Sequence, residues 1–553
     1  MPIGLHASAA SPERATVEPG NRLAEILNIA VLAGAALVTL YVRVRLLSVP
    51  LERDEGEYAY LAQLMLQGRP PFLDVYTLKL PGTPLAYAAF MSIFGQTKEA
   101  IHLALLVVNA LTACLLWLLA RRLFDSQAAS ASTAIFLLLT SSEGVLGVFA
   151  HATQFVNLFA VAGFLLILRY EEGGRKAIAF AAGICFGAAI LMKQHAAVLA
   201  LFAFCLVARI TRARPNRCLP TISTSALFAT GVAIPLASIS LWTIEAGTFG
   251  KLWFWTFDYA LEYVRGLPLP VGLSQLDWQF TRVASHELPV WILAALGVAV
   301  SLIGGHRERT TSRVLVIGFL LSSFIAMCPG LYFREHYFVL ILPSVAMLSG
   351  LAMTKGVALA TGKWPIGWVG LIPVAVLVGV LCAGYWSERA YLFRRTPTEV
   401  SRDLYLPSPF AESQEIARYI NANSSADDRI AVLGSEPQLF FYANRRSATG
   451  YIYMYGLMED QPYAASMQRE MIAEIETARP LYLVFVNVQF SWMFNDKSLT
   501  RIFHWVDDYV AASYRLSGVV DIGWDHSRYV WGESAESYTP LSKNFVTVWR
   551  RVP

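Results

Sequence analysis

Arg53-Asp54-Glu55-Gly56-Glu57-Tyr58-Ala59-Tyr60 comes soon after the apolar segment 26–47 and places three carboxylates within a few residues of its end. That segment can cross a hydrocarbon core of ~30 Å, which takes about 20 helical residues. Carboxylates beside a bilayer are costly unless they sit in water or do work. An ionisable cluster held there is therefore a functional-site hypothesis by default.

The 553-residue chain around this cluster is 56% apolar and only 15% charged, with mean hydropathy +0.47. Soluble domains carry nearer a quarter charged residues, so this is an integral membrane protein with a polar part attached. The sequence predicts about eleven transmembrane helices: 26–47, 100–120, 127–142, 152–169, 176–192, 195–210, 221–244, 288–305, 313–330, 336–353 and 366–386. Segments 127–142 and 195–210 are short for a full crossing.

The net charge of +4 matters less than its placement. With a cytoplasmic N-terminus, the cytoplasmic loops hold fourteen Lys and Arg, from Arg121 and Arg122 to Lys355 and Lys363, while the short outer loops hold only Lys193 and Arg334. That asymmetry orients the chain, because one missed helix would reverse everything downstream. Arg43 and Arg45 are the exception, and snorkelling would carry their charged heads to the interface.

Residues 1–24 read as a disordered cytoplasmic tail. The stretch after them is too long and too basic at its far end for a cleaved signal peptide. Residues 25–390 form the membrane domain, with long outer loops at 48–99 and 245–287. After the last span, 397–553 reads as a separate extracytoplasmic α/β domain. Arg429–Leu433 and Leu481–Val488 read as buried strands, and Glu412–Asn421, Ala465–Ala478 and Ser498–Val510 as helices. Gly434 stands alone after its strand, so no phosphate-cradling glycine loop is present. All six cysteines lie in or beside apolar segments without metal-ligand spacing, which argues against a disulfide framework or structural zinc.

Within loop 48–99, Glu57–Leu66 has apolar residues at helical spacing and predicts a short helix lying on the membrane surface. Gly68-Arg69-Pro70-Pro71-Phe72-Leu73-Asp74 and Lys79-Leu80-Pro81-Gly82-Thr83-Pro84 come next. Asp54, where the chain leaves the span, is placed to accept a proton from a hydroxyl or amine nucleophile. The competing reading makes Asp54 and Glu55 helix-start acids that favour the positive dipole end.

The acid after span one, the loop from Gly68 to Asp74 and the Lys79–Gly82 turn resemble the polytopic glycosyltransferases of the C fold. More narrowly, they resemble the superfamily of protein mannosyltransferases and lipid A aminoarabinose transferases. Lys193-Gln194, and His336-Tyr337 followed by Leu342-Pro343, extend the likeness over roughly residues 25–386. The resemblance implies an inverting hexosyl- or pentosyltransferase of the plasma (inner) membrane. Its donor would be a polyprenyl-phosphate sugar and its acceptor a lipid, glycan or protein on the outer face, with membrane lipids but no nucleic acid as partners. It implies catalytic roles for Asp54, as base, and for Glu55, the nearest substitute. Many relatives carry a second outer-loop acid before span four; here that stretch is His151-Ala152-Thr153-Gln154-Phe155-Val156-Asn157, and Glu143 is the nearest stand-in.

A departing phosphate gathers negative charge, so cations should face it. Lys79, Lys193 and Arg334 are the candidates, with Glu57, Asp74, His336 and Tyr337 completing the substrate-binding set. Ion pairing with Glu335 is the plainer role for Arg334, and interfacial anchoring for Lys193. No resident metal or other cofactor is expected, and a divalent cation is left open. His195 and His336 read first as interface histidines. The aromatics of 245–287 read first as membrane anchors, with cavity closure as the family's alternative. Tyr453, Tyr455 and Tyr463 would either stack on a sugar or serve a core. The other class weighed is a transporter or flippase of a lipid-linked glycan. Such proteins put charges near the midplane in repeated halves, whereas this chain puts them at one interface.

Overall fold

The computed structural model describes residues 19–214, 218–303, 310–361 and 367–552. The membrane part consists of α1 (Pro19–Arg45), α2 (Arg53–Leu66), α3 (Gly82–Phe94), α4 (Lys98–Leu123), α5 (Ser126–Leu139), α6 (Ala152–Gly173), α7 (Lys176–Met192), α8 (Ala197–Arg212) and α9 (Cys218–Glu245). It continues through α10 (Phe249–Trp253), α11 (Ala260–Arg265), α12 (Leu269–His286), α13 (Leu288–Ile303), α14 (Thr310–Met327), α15 (Leu342–Leu351), α16 (Val357–Thr361) and α17 (Leu371–Ser387). A 3₁₀ stretch, Glu335–Ile341, leads into α15, and π-helical turns occupy Phe254–Tyr259 and Ala352–Gly356.

Helix covers the greater part of each of the eleven apolar segments, though not all of these helices are long enough to cross a bilayer unaided. Among the described residues, six helices are long and apolar enough to span a bilayer, or seven if α12 and α13, bent by 107°, are one span. Five shorter apolar helices, among them α3, α5 and α7, accompany them. The protein is a multi-pass membrane protein. Helix α1 begins at Pro19, so the end of the expected tail is helical, and residues 1–18 lie outside the described residues, as do the basic loop residues Arg217, Arg307, Arg309 and Lys363.

Close helix approach comes from small residues. A Cβ at Gly82 would sit 2.5 Å from the Leu191 backbone, so the start of α3 lies directly against the end of α7. The basic exception in α1 also has a physical account. Arg43 donates to the Thr140 carbonyl at the end of α5 (2.7 Å), and Arg45 to the carbonyls of Tyr391 and Leu392 (2.9 and 3.0 Å). Their charges satisfy chain ends that have run out of intrahelical partners.

The C-terminal domain is a six-stranded mixed sheet with helices. Its strands are β1 (Arg429–Leu433), β2 (Arg446–Ser447), β3 (Tyr482–Asn487), β4 (Tyr514–Asp521), β5 (Arg528–Trp531) and β6 (Phe545–Arg551), in the order β2-β1-β3-β6-β4-β5. Strands β1, β2 and β3 are parallel, and β6 enters antiparallel to β3 with Val484 opposite Val548. Helices Ser413–Ala422, Ala464–Ala478 and Arg501–Ser513 fall where the sequence places them, within a few residues.

This domain caps loop 48–99, so both lie on one side of the helical part. Tyr60 stacks on Phe440 (5.1 Å) and its hydroxyl accepts the Ser447 N–H (2.8 Å). Gly56 has no room for a side chain, since a Cβ would meet the Gln438 backbone nitrogen at 2.6 Å. Arg53 is buried and donates to the Ser435 carbonyl and the Tyr455 hydroxyl, each at 2.6 Å, and to Glu436 at 3.3 Å. The expected surface helix is therefore corrected: α2 starts four residues earlier than Glu57 and most of it is enclosed by protein.

Candidate functional site

The start of α2 divides labour among its acids. Glu52 is the N-cap, accepting the Glu55 N–H (2.8 Å), while Glu55 accepts the Glu52 N–H (3.3 Å) to complete a capping box. Glu55 also accepts the Ala150 N–H (2.5 Å) and contacts His102 Nε2 (3.1 Å). Fully buried and fully engaged, it holds the helix start in place. Asp54, relieved of capping, turns the other way into a cavity of about 390 Å³.

There Lys79 bridges two acids, reaching Asp54 Oδ1 at 2.7 Å and Glu57 at 2.5 Å, with its ammonium 4.6 Å from the Tyr58 ring centroid. The Tyr453 hydroxyl donates to Asp54 Oδ1 (3.3 Å), and His336 Nε2 lies 3.8 Å from Oδ2. Across the cavity Lys193 sits over the Tyr337 ring at 4.0 Å and Arg334 over Tyr332 at 5.6 Å. A left-handed turn places Arg334, with φ of +79° at Gly330, +57° at Leu331 and +43° at Phe333. Non-glycine residues adopt such angles only when their surroundings impose them. Among the described residues, neither Lys193 nor Arg334 has a carboxylate ion-pair partner.

Electrostatics separate the two lysines. Burial disfavours the Lys79 ammonium, but Asp54 and Glu57 outweigh it and hold the pKa well above the ordinary value. Burial pulls Lys193 down to about 7; Asp54 opposes this, while Lys79 and Arg334 add to it. Burial alone would raise Asp54, yet the Lys79 ammonium beside it keeps it well below the usual carboxylate range, so it is ionised at neutral pH.

Of the residues expected from sequence, Asp54, Glu57, Lys79, Lys193, Arg334, His336 and Tyr337 share this cavity. Glu55 and Asp74 do not. Asp74 closes a two-bond pair with Arg69 (2.6 and 2.7 Å) on the outer part of the loop, because a planar guanidinium five residues away matches its carboxylate. Glu335 pairs with Arg282 (2.5 Å), which leaves Arg334 to the cavity. Glu143 lies elsewhere, donating its N–H to Glu388 (2.9 Å). His195, Tyr453 and Tyr455 line the cavity, whereas Tyr463 packs edge-on against Phe254 (4.9 Å). The aromatic loop contributes Trp255, Tyr259 and Tyr263, so some of its rings do more than anchor. Glu459, which accepts the Tyr259 hydroxyl (2.9 Å), carried no signal in the sequence.

The chain is similar to known proteins in sequence and in fold. Residues 79–242 match the model of the family described as dolichyl-phosphate-mannose-protein mannosyltransferase. The undecaprenyl phosphate-alpha-4-amino-4-deoxy-L-arabinose arabinosyl transferase of Pseudomonas aeruginosa is 25% identical over 367 residues, and the match spans 63% of this chain and 63% of that protein's length. ArnT from Cupriavidus metallidurans, solved bound to undecaprenyl phosphate, superposes with a TM-score of 0.56 at 16% identity, covering 94% of this chain and 97% of ArnT. The oligosaccharyltransferase AglB of Archaeoglobus fulgidus, solved with an inhibitory peptide and a dolichol-phosphate, gives 0.52 at 13% identity, covering 95% of this chain and 76% of AglB. The chain has the C fold of the polytopic membrane glycosyltransferases.

In this C-fold chain, His151 also stands at the site, beside Asp54 and His336. Its ring stacks on His336 at 4.2 Å, and Glu52 Oε1 lies 3.7 Å from Nδ1. Neither ring nitrogen makes a hydrogen bond, and burial lowers its pKa to about 4, so it is neutral. Ligand atoms of Asp54, His151 and His336 all lie within 4.8 Å of one another. A neutral, orphaned imidazole beside a carboxylate is a donor set that fits a divalent cation.

Proposed function

We propose that this protein transfers a sugar from a polyprenyl-phosphate donor to a lipid, glycan or protein acceptor at the outer face of the plasma membrane. In this reading the N-terminus is cytoplasmic and the C-terminal domain extracytoplasmic. One observation carries the proposal: Lys193 and Arg334, which have no carboxylate ion-pair partner among the described residues, share a cavity with the ionised Asp54. Two of the structural relatives were solved with a polyprenyl phosphate bound, which supports that class of donor.

The chemistry is a direct displacement. A lone pair on the acceptor oxygen or nitrogen attacks the anomeric carbon, the bond from that carbon to the phosphate oxygen breaks, and its electron pair stays on the phosphate. Attack opposite the leaving group inverts the configuration. The lipid phosphate gains one negative charge as the bond breaks, so Lys193 and Arg334 bind the transition state more strongly than the donor. Asp54, held at low pKa, is a weak base; it accepts the hydrogen bond of the nucleophile and orients it. The proton can finish on the released phosphate monoester, whose second pKa is about 6. Lys79, fixed between Asp54 and Glu57, sets the position of both. A divalent cation, when bound, would be held by Asp54, His151 and His336 and would supply Lewis-acid polarisation. Asp54→Asn tests the assignment with purified protein and a labelled polyprenyl-phosphate sugar: transfer is abolished while folding persists, and turnover at the parent rate would remove Asp54 from the reaction.

A further inference from the structure

Three carboxylates among the described residues line the catalytic cavity: Asp54, Glu57 and Glu459. Lys79 sits between the first two and offsets their charge. Glu459, half-buried in the wall, has no ion-pair partner among the described residues. Its Oε2 accepts the Tyr259 hydroxyl (2.9 Å), and none of those residues donates to Oε1. The side chain is nevertheless fixed in place. Glu459 ends the short helix Tyr455–Met458, donating its N–H to the Tyr455 carbonyl (2.9 Å). Tyr259 lies tight against that helix, since a Cβ at Gly456 would meet its hydroxyl oxygen at 2.6 Å.

This free carboxylate oxygen belongs to the Arg334 end of the cavity. Burial raises the Glu459 pKa, and the Tyr259 hydroxyl and the Arg334 charge oppose the rise. Tyr263 and Tyr332, stacked at 4.9 Å, lie in the field of both charges, and Arg334 sits over Tyr332 at 5.6 Å. A carboxylate there opposes a phosphate held by Arg334, because two anions repel strongly where the dielectric is low. The repulsion is offset when the ligand itself donates hydrogen bonds to the free oxygen. A carboxylate offers about four acceptor positions, and Tyr259 fills one. A sugar joined to the phosphate brings hydroxyl donors. The lipid phosphate left after transfer brings no sugar, and as a monoester with a second pKa of about 6 it carries more negative charge.

We propose that Glu459 is a specificity-determining residue, accepting a hydrogen bond from a hydroxyl of the transferred sugar and repelling the lipid phosphate once that sugar has gone. The inference rests on the donor reading of the cavity and adds discrimination between donor and released product.

Glu459→Gln keeps the shape of the side chain and an acceptor for Tyr259 while removing the charge. Equilibrium binding of undecaprenyl phosphate to the purified full-length protein at neutral pH is the first readout. The variant binds it about fivefold or more tightly than the parent, whereas Asp460→Asn, an equal charge change on an exposed neighbour outside the cavity, shifts it less than about twofold. In the transfer assay with a labelled polyprenyl-phosphate sugar, Glu459→Gln raises the donor KM about fivefold or more while undecaprenyl phosphate becomes the stronger inhibitor. A purely structural role moves both affinities in the same direction. Should the amide variant fold poorly, Glu459→Asp decides: it withdraws the carboxylate by one methylene but keeps the charge, so donor KM rises and inhibition by undecaprenyl phosphate stays at the parent level. A parent-like donor KM in Glu459→Asp, or undecaprenyl phosphate binding unchanged in a folded Glu459→Gln, overturns the proposal. Arg334→Ala tests the underlying donor reading separately. Weaker undecaprenyl phosphate binding in that variant beside an unaltered Glu459→Gln sinks this inference alone, and unchanged binding in Arg334→Ala sinks both.

Discussion

Lys193 gives the most quantitative expectation. Burial holds its pKa near 7 in the donor-free protein, against 10.5 for an exposed lysine. Only the ammonium form attracts the donor phosphate, so the donor pulls the proton on and binding must weaken as pH rises through about 7. If the neutral form contributes nothing, donor affinity falls about tenfold at pH 8 and about a hundredfold at pH 9, or 1.4 kcal/mol per pH unit. The donor is a phosphodiester with a fixed charge in this range, and His151, at about 4, does not titrate there. Equilibrium binding of a non-transferable polyprenyl-phosphate sugar from pH 6 to 9 is the assay. Lys193→Arg removes the slope and keeps the affinity, since guanidinium stays charged; Lys193→Met removes both. A parent protein whose affinity stays level from pH 6 to 9 would refute the reasoning.

Asp54→Asn lowers the transfer rate by about 10²–10⁴ with donor binding retained, measured by single-turnover kinetics. Arg334→Ala removes charge-assisted bonds of about 1.5–3 kcal/mol, so donor affinity drops roughly tenfold to a hundredfold in the same binding assay. Arg53→Ala strands Glu436 in the interface between α2 and the C-terminal domain and destabilises by about 3–5 kcal/mol, read from thermal unfolding and protease sensitivity of that domain. Asp74→Asn breaks only a partly exposed pair worth about 0–1 kcal/mol, so transfer stays near the parent rate.

Much of this molecule was legible in the chain. Apolar length locates the helices, because a bilayer imposes the same demand on each segment. It does not by itself fix the number of crossings, because helices such as α5 and α7 are apolar yet shorter than a bilayer-spanning helix. The strands at 429–433 and 481–488 were readable as short apolar runs with β-branched residues. Charge near the interface was also informative: Asp54, Lys79, Lys193 and Arg334 are polar where polarity is costly, and they converge. Glu55 and Asp74 misled for a related reason. Each satisfies a local demand, a helix start for Glu55 and a neighbouring guanidinium for Asp74, and composition cannot separate that from catalysis. His151 and Glu459 were hidden because their significance depends on contacts about 180 and 200 residues away in the chain, His336 and Tyr259.

The decisive measurement is a cryo-EM structure of the full-length protein in nanodiscs with a polyprenyl phosphate bound. Phosphate density beside Lys193 and Arg334, facing Asp54, is the predicted result. Density for the phosphate at any other place, with the Asp54 cavity filled by protein or solvent alone, would contradict the account.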